Sequence, residues 1–261
     1  QPIQFPANSS SVTFGIGSLW IGGMDTLGQL HTACQTYRQN GTDFFQGPMM
    51  NSNSYSPAQD ALWDNVWKIN KTTIDSFVLG LFAPNIPASI ANWPGNGNTI
   101  LGQVPKLAPY ADVNFDGQYN PINGDYPIIK GDQAIFFIFN HDRNNHTETN
   151  GLKLGLEIQG MAYAFNCPND SALHNTIFVH YRIINRSSAE YANAYIGFWY
   201  DLDMGFYIDD KIGTDSTRNA CYFIDSLDVM STVILSHPLS KSMYYNNDFT
   251  VTGNPQEVSD Y

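Results

Sequence analysis

The chain is short of cysteine, of basic residues and of glutamate. Three cysteines in 261 residues, Cys34, Cys167 and Cys221, close one disulfide at most and leave a thiol over. That excludes a scaffold built on disulfides. Twelve Lys+Arg stand against 24 Asp+Glu, for a net charge of −12. Nucleic acid and anionic membrane are disfavoured as partners, because a phosphate-binding surface needs clustered Lys and Arg. No run approaches the roughly 18–20 consecutive apolar residues of a membrane-spanning helix, so membrane insertion by a helix is not expected. A G-x-S-x-G elbow, H-E-x-x-H, a phosphate loop, a dinucleotide fingerprint and a paired C-x-x-C are all missing. An enzyme working through a nucleophile and its base is thus unsupported, and the balance leans away from catalysis.

What is present is a core and an unusual acid. At 43% hydrophobic and 14% aromatic, the chain can bury roughly 70–75% of the surface its unfolded form exposes, which excludes disorder as its main state. Charged residues make up 14% against about 25% in an average soluble domain, so solubility rests on Asn, Ser, Thr, Gly and Gln. The acids divide into 20 Asp and 4 Glu. Aspartate favours turns and cation loops, glutamate helices, so loops and strands are expected. The chain opens on Gln1 rather than Met and reads as an exported product whose signal peptide has been removed. Six N-x-S/T sequons (Asn8, Asn40, Asn70, Asn145, Asn169, Asn185) are too short a pattern to carry weight in so Asn-rich a chain.

Residues 1–11 are polar and proline-bearing and form an extended N-terminal segment. Residues 12–23 read as a glycine-interrupted strand, paired through D-T-L-G with a second strand at 29–38. One helix is expected over 57–79: Ser56 caps it, Pro57 fits the first turn, and Leu62, Val66 and Ile69 repeat at helical spacing. Further apolar runs of strand length lie at 134–139, 158–165, 176–184, 194–202, 221–224, 229–235 and 243–251. Turn residues separate them, so the expected class is mainly β: an antiparallel, jelly-roll-like β-sandwich with one helical insertion and long calcium-type loops. Residues 12–261 are expected to form a single domain, with a boundary near 105 as the alternative.

The sharpest local signal is D-V-N-F-D-G-Q-Y-N-P-I-N-G-D at 112–125. Asp112, Asn114 and Asp116 place oxygens at alternate positions. Gly117 permits the sharp turn that returns the Gln118 carbonyl to a hard cation, for which Ca²⁺ is the natural candidate. The twelfth position, normally Glu, is Asn123, and Asp125 is the substitute. The competing reading is an Asx-rich turn without an ion. A second acidic stretch holds Asp201, Asp203, Asp209, Asp210 and Asp215. These five would repel one another unless a divalent ion neutralised them, the alternative being a solvated loop softened by Lys211 and Arg218.

His141 and His146 lack an evident third ligand and are expected to be surface or structural. The five tryptophans could line a sugar groove, but scattered as they are they read as core packing. A glycosidase would need two carboxylates brought together by folding, with Glu148, Glu157 and the acidic loops as raw material.

Several phrases together resemble a family of large secreted proteins of Bacteroidota exported by the type IX secretion system. They are G-S-L-W-I-G-G (17–23), Q-T-Y-R-Q (35–39), W-K-I-N-K (67–71), A-P-Y-A-D-V-N-F-D-G-Q-Y-N-P (108–121), G-D-Y-P-I-I-K-G-D-Q-A (124–134), N-T-I-F-V-H-Y-R-I-I-N-R-S (175–187), D-L-D-M-G (201–205) and D-D-K-I-G-T-D (209–215). The resemblance implies an extracellular or cell-surface protein, reinforces calcium at both acidic stretches, and carries no reaction with it. It also implies O-glycans at D-S/T before a small or aliphatic residue, at Thr26, Ser171, Ser216 and Ser226. The resulting expectation is a calcium-stabilised structural or adhesive surface protein. It would act as a homo-oligomer, as a filament or coat subunit, or on surface polysaccharide. Residues 1–11 could serve as a donated strand. The alternative is a secreted carbohydrate-active hydrolase or carbohydrate-binding module.

Overall fold

A computed structural model of the chain describes residues 3–4, 12–14, 16–36, 39–202, 204, 210–225 and 228–245, with the backbone alone at 3–4, 12–14 and 16. It is mainly β, 35% strand against 13% helix, in several antiparallel sheets of the expected sandwich-like kind. No described helix is long and apolar enough to cross a membrane. Instead of a division near 105, the chain divides into two compact units, neither contiguous in sequence. The first comprises Gln1–Asp43, His146–Leu152 and Tyr191–Tyr261; the second, Phe44–Asn145 and Lys153–Glu190.

The second unit is built on the strand Gln133–Asn140. Its alternation sends Ala134, Phe136, Ile138 and Asn140 into the interior and leaves Ile135, Phe137 and Phe139 half-buried on the other face. It pairs antiparallel with Leu156–Ala164, which pairs onward with Phe178–Asn185. On its other side it takes two short strands, Phe45–Gln46 and Trp67–Asn70. Gly160 stands opposite Phe137, and a Cβ there would come within 2.1 Å of the Phe137 ring; only glycine lets that ring lie flat on the sheet. The interior face of Gln133–Asn140 packs with Ile69, Ile74, Ile90, Trp93, Leu107, Ala108, Tyr110, Tyr119 and Met161 into one core.

The helix expected over 57–79 is two helices, Pro57–Trp63 and Lys71–Val78, interrupted by the strand Trp67–Asn70. Ser56 caps the first as expected, accepting from the Gln59 N–H. The helical stripe is not realised, since Leu62 and Val66 are exposed. Trp67 and Ile69 instead follow period two, because hydrogen bonds from 133–136 are offered to that segment. Gly80, at φ 74°, ends the second helix near the expected place.

In the first unit Ile16–Asp25 pairs with Leu30–Ala33 and with Tyr191–Asp201. The D-T-L-G turn forms as expected: an Asp25 carboxylate oxygen accepts from the Leu27 and Gln29 N–H groups, and Gly28 takes φ 76°. Lys211–Asp215, Ala220–Ile224 and Val229–Val233 form a meander, so part of the expected acidic loop is a strand. Residues 243–245 carry no strand, and 246–251 lie outside the described residues. Ile3–Gln4 pair with Val12–Phe14 of the same chain. At those positions the backbone partners are internal, which removes the ground for treating them as a strand given to a neighbour. The rest of 1–11 lies outside the described residues.

Candidate metal site

Residues 112–125 wrap around Asp125. This carboxylate is fully buried, and its two oxygens accept from the Val113 and Asn120 N–H groups, each at 2.8 Å. The chain is held at both flanks by aromatic anchors: Tyr110 and Tyr119 are core residues with rings 5.3 Å apart. Leu107 and Ala108 are buried as well, so the segment 105–131 is better packed than its composition suggests. The longest exposed run within it is 113–118. Tyr110 Oη donates to the Gly117 carbonyl at 3.0 Å. Burial, then the charges of Asp112, Asp125 and Asp116, raise the Tyr110 phenol above its ordinary range and keep it a donor. Burial and Asp125 raise Tyr119 likewise, whose hydroxyl donates to the Ile90 carbonyl.

Within the exposed turn, Asp112 accepts from the Asp116 N–H (3.2 Å) and the Gly117 N–H (2.8 Å). Asp116 accepts from the Gln118 N–H (2.8 Å) and from Asn114 Nδ2 (2.7 Å). Phe115 and Gly117 adopt the left-handed conformation, at φ 60° and 80°, which turns the chain back upon itself. One carboxylate oxygen each from Asp112, Asp116 and Asp125 then lie within 4.8 Å of one another. Among the described residues, none of the three is in an ion pair with Lys or Arg, and this is the single grouping of three acidic, His or Cys side chains suited to a cation. Hydrogen bonds from Asn114, the Gln118 N–H and Asn123 lower the Asp116 pKa and keep it ionised. The site therefore offers three hard anionic oxygens, with backbone N–H groups holding the carboxylates in place. A carboxylate oxygen that accepts one hydrogen bond keeps a lone pair for a cation. Asn114 and Gln118 lie in the same turn; Asn114 Nδ2 donates to Asp116 and Gln118 Nε2 to the Gly117 carbonyl.

The second acidic stretch is arranged differently. Asp201 ends the strand Tyr191–Asp201, Asp210 accepts from the Met204 N–H, and Asp215 ends Lys211–Asp215. Asp215 is taken up by its own hairpin, accepting from the Thr217 N–H and hydroxyl and from the Arg218 N–H and guanidinium. Those bonds, Thr217 first, bring its pKa down to about 2. Asp203 and Asp209 lie outside the described residues. Thr26, Ser171 and Ser216 are exposed, each just after an aspartate that caps the following turn; Ser226 lies outside the described residues.

The glutamates considered for hydrolysis are structural. Glu157 is fully buried and accepts from the Met49 N–H, Gln159 Nε2 and Arg186. Glu148 accepts from the Asn40 and Gly41 N–H groups. His141 and His146 are both buried, and His146 shares a hydrogen bond with the Thr32 carbonyl. Sequence reasoning missed Asp43. It is buried and accepts from the Cys34, Glu148 and Thr149 N–H groups and the Thr149 hydroxyl. Partners a hundred positions away leave no local signal. Burial, then Asp43 and Glu148, push the Cys34 thiol up to about 12; all three cysteines are free thiols.

No protein-family model, no curated protein and no solved structure matches the chain.

Proposed function

We propose that this chain is an extracellular, calcium-stabilised surface protein with a structural or adhesive role, of the kind that Bacteroidota export by the type IX route. The observation that carries the reading is the convergence of Asp112, Asp116 and Asp125 on one turn, with Asp125 buried beneath it. Three carboxylates at that separation repel one another, and a divalent cation converts the repulsion into a cross-link between the turn and its buried base. An ion that binds the folded chain alone stabilises it by mass action, by about 2.7 kcal/mol at a hundred times its dissociation constant. Thermal melts in calcium and in chelator test this. Calcium raises the melting temperature of the natural chain, and Asp116→Ala abolishes the rise; equal melts in both media for the natural chain defeat the proposal.

The wider reading has the protein as a homo-oligomer or as a subunit of a filament or coat, with O-glycans at Thr26, Ser171, Ser216 or Ser226. Electron microscopy of purified material reads out the assembly, where monodisperse single particles count against it. Intact mass of natural material reads out the glycans: a mass equal to that of its bare polypeptide removes them.

A further inference from the structure

We infer that a shallow depression on the second unit is a binding site for a neutral saccharide. It lies between residues 44–46, 63–66 and 138–139 and encloses about 530 Å³, within the roughly 300–1,000 Å³ of small-ligand sites. One side is aromatic. Phe44 meets Phe139 edge to face at 5.6 Å, and Phe139 stacks on Phe137 at an interplanar angle of 10°. Trp63 is fixed from behind: Gly47, at φ 88°, lies so close to its ring that a Cβ there would come within 2.6 Å of Cγ, and Trp67 meets it edge-on at 5.8 Å. These rings are only partly buried, and they are held in place before any ligand arrives.

The other side is polar and uncommitted. Gln46, Asp64 and Asn65 are exposed, and among the described residues their side chains make no hydrogen bond to protein. Asp64 caps the helix Pro57–Trp63 through its backbone N–H alone, so its carboxylate is available. A pyranose ring has an apolar C–H face, which rests on aromatic carbon, and a rim of hydroxyls that both donate and accept. Two amides and a carboxylate supply both halves of that exchange. Among the described residues no Lys, Arg or His lines the depression, and the one charged group is an acid, so phosphate, sulfate and uronate ligands are disfavoured. A hydrolase would need a second carboxylate beside Asp64; among the described residues the lining contains none, so the proposal is one of binding. This deepens the adhesive reading by giving it a ligand class. It shares no residue with the 112–125 turn, so a failed calcium test leaves it standing, and its own failure leaves the calcium proposal standing.

The test is calorimetric titration of the intact chain, backed by saturation-transfer NMR. The probes are neutral hexasaccharides of glucose, mannose, galactose, xylose and N-acetylglucosamine, each in calcium and in chelator. At least one is expected to bind with one site per chain. The double variant Asp64→Ala, Asn65→Ala is expected to weaken it by about tenfold or more, since two hydrogen-bonding groups are removed. Its melting temperature stays that of the natural chain, because neither side chain bonds to protein. Phe44→Ala, which removes a ring from the aromatic side, is expected to weaken binding as well. The proposal is overturned if no probe binds up to about 10 mM, below which even weak sites register. It is equally overturned if binding survives the double variant.

Discussion

Two stretches of this chain are both acidic on paper and physically unlike. Residues 112–125 carry three aspartates whose oxygens meet within 4.8 Å, one of them fully buried. Residues 201–215 carry five, yet of those described, Asp215 is spent on its own hairpin turn and Asp210 on the Met204 N–H. The difference lies in what the chain between the acids does. Around Gly117 the backbone takes left-handed angles and comes back on itself, whereas Lys211–Asp215 is drawn straight by pairing with Ala220–Ile224. Aspartates concentrate charge only where the backbone between them curls. Strand pairing spreads them out.

Removing the buried base should produce the largest effect. Asp125→Ala strands the Val113 and Asn120 N–H groups and is expected to cost about 3 kcal/mol in chemical denaturation, within the usual range for breaking a buried polar network. Asp215→Ala, at a partly exposed turn, should cost clearly less. Equal losses would erase the distinction between the two stretches. Next comes Gly117→Ala. An added Cβ meets no atom within 4 Å, so the expected loss of about 1 kcal/mol is purely the conformational penalty of φ 80° for a residue with a side chain. A neutral result would mean that the turn is not held in that conformation.

The smallest effect is a titration. Asp215 ionises at about 2 in the folded chain against an ordinary 3.8. The depressed value means that its contribution to stability is present above pH 3.8 and is lost as pH falls from about 4 through about 2. NMR titration of the side-chain carboxyl should show that midpoint. Thr217→Ala should raise it most, because Thr217 is the leading cause, and Arg218→Ala should raise it less. A midpoint at the ordinary value would return Asp215 to the pool of free acids.

Much of the sheet content was legible because alternation is a local property. The strands Gln133–Asn140, Leu156–Ala164, Phe178–Asn185, Tyr191–Asp201 and Ala220–Ile224 fall within a few residues of the apolar runs that announce them. The helix over 57–79 was misjudged because Leu62, Val66 and Ile69 satisfy a helical period by coincidence. The competing period, Trp67 with Ile69, becomes decisive only when residues 133–136 arrive as a partner. By sequence Trp63 reads as core with the other tryptophans. Trp93 is core, Trp67 packs against it, and Trp63 also forms the wall of a depression.

By itself the sequence determined the class of the fold, the capped start at Ser56, the turn at Asp25–Gly28 and the cation-type spacing from Asp112 to Asp116. Each follows from backbone preferences and side-chain reach over a few residues. Only the tertiary structure decided that Asp125 lies beneath that turn while Asp215 folds into its own hairpin. It also decided that Asp43 and Glu157 are buried anchors, and that Gln46, Asp64 and Asn65 face the same hollow as Phe139. Those arrangements depend on which distant segments supply N–H groups, ring faces and strand partners, and no local preference carries that information.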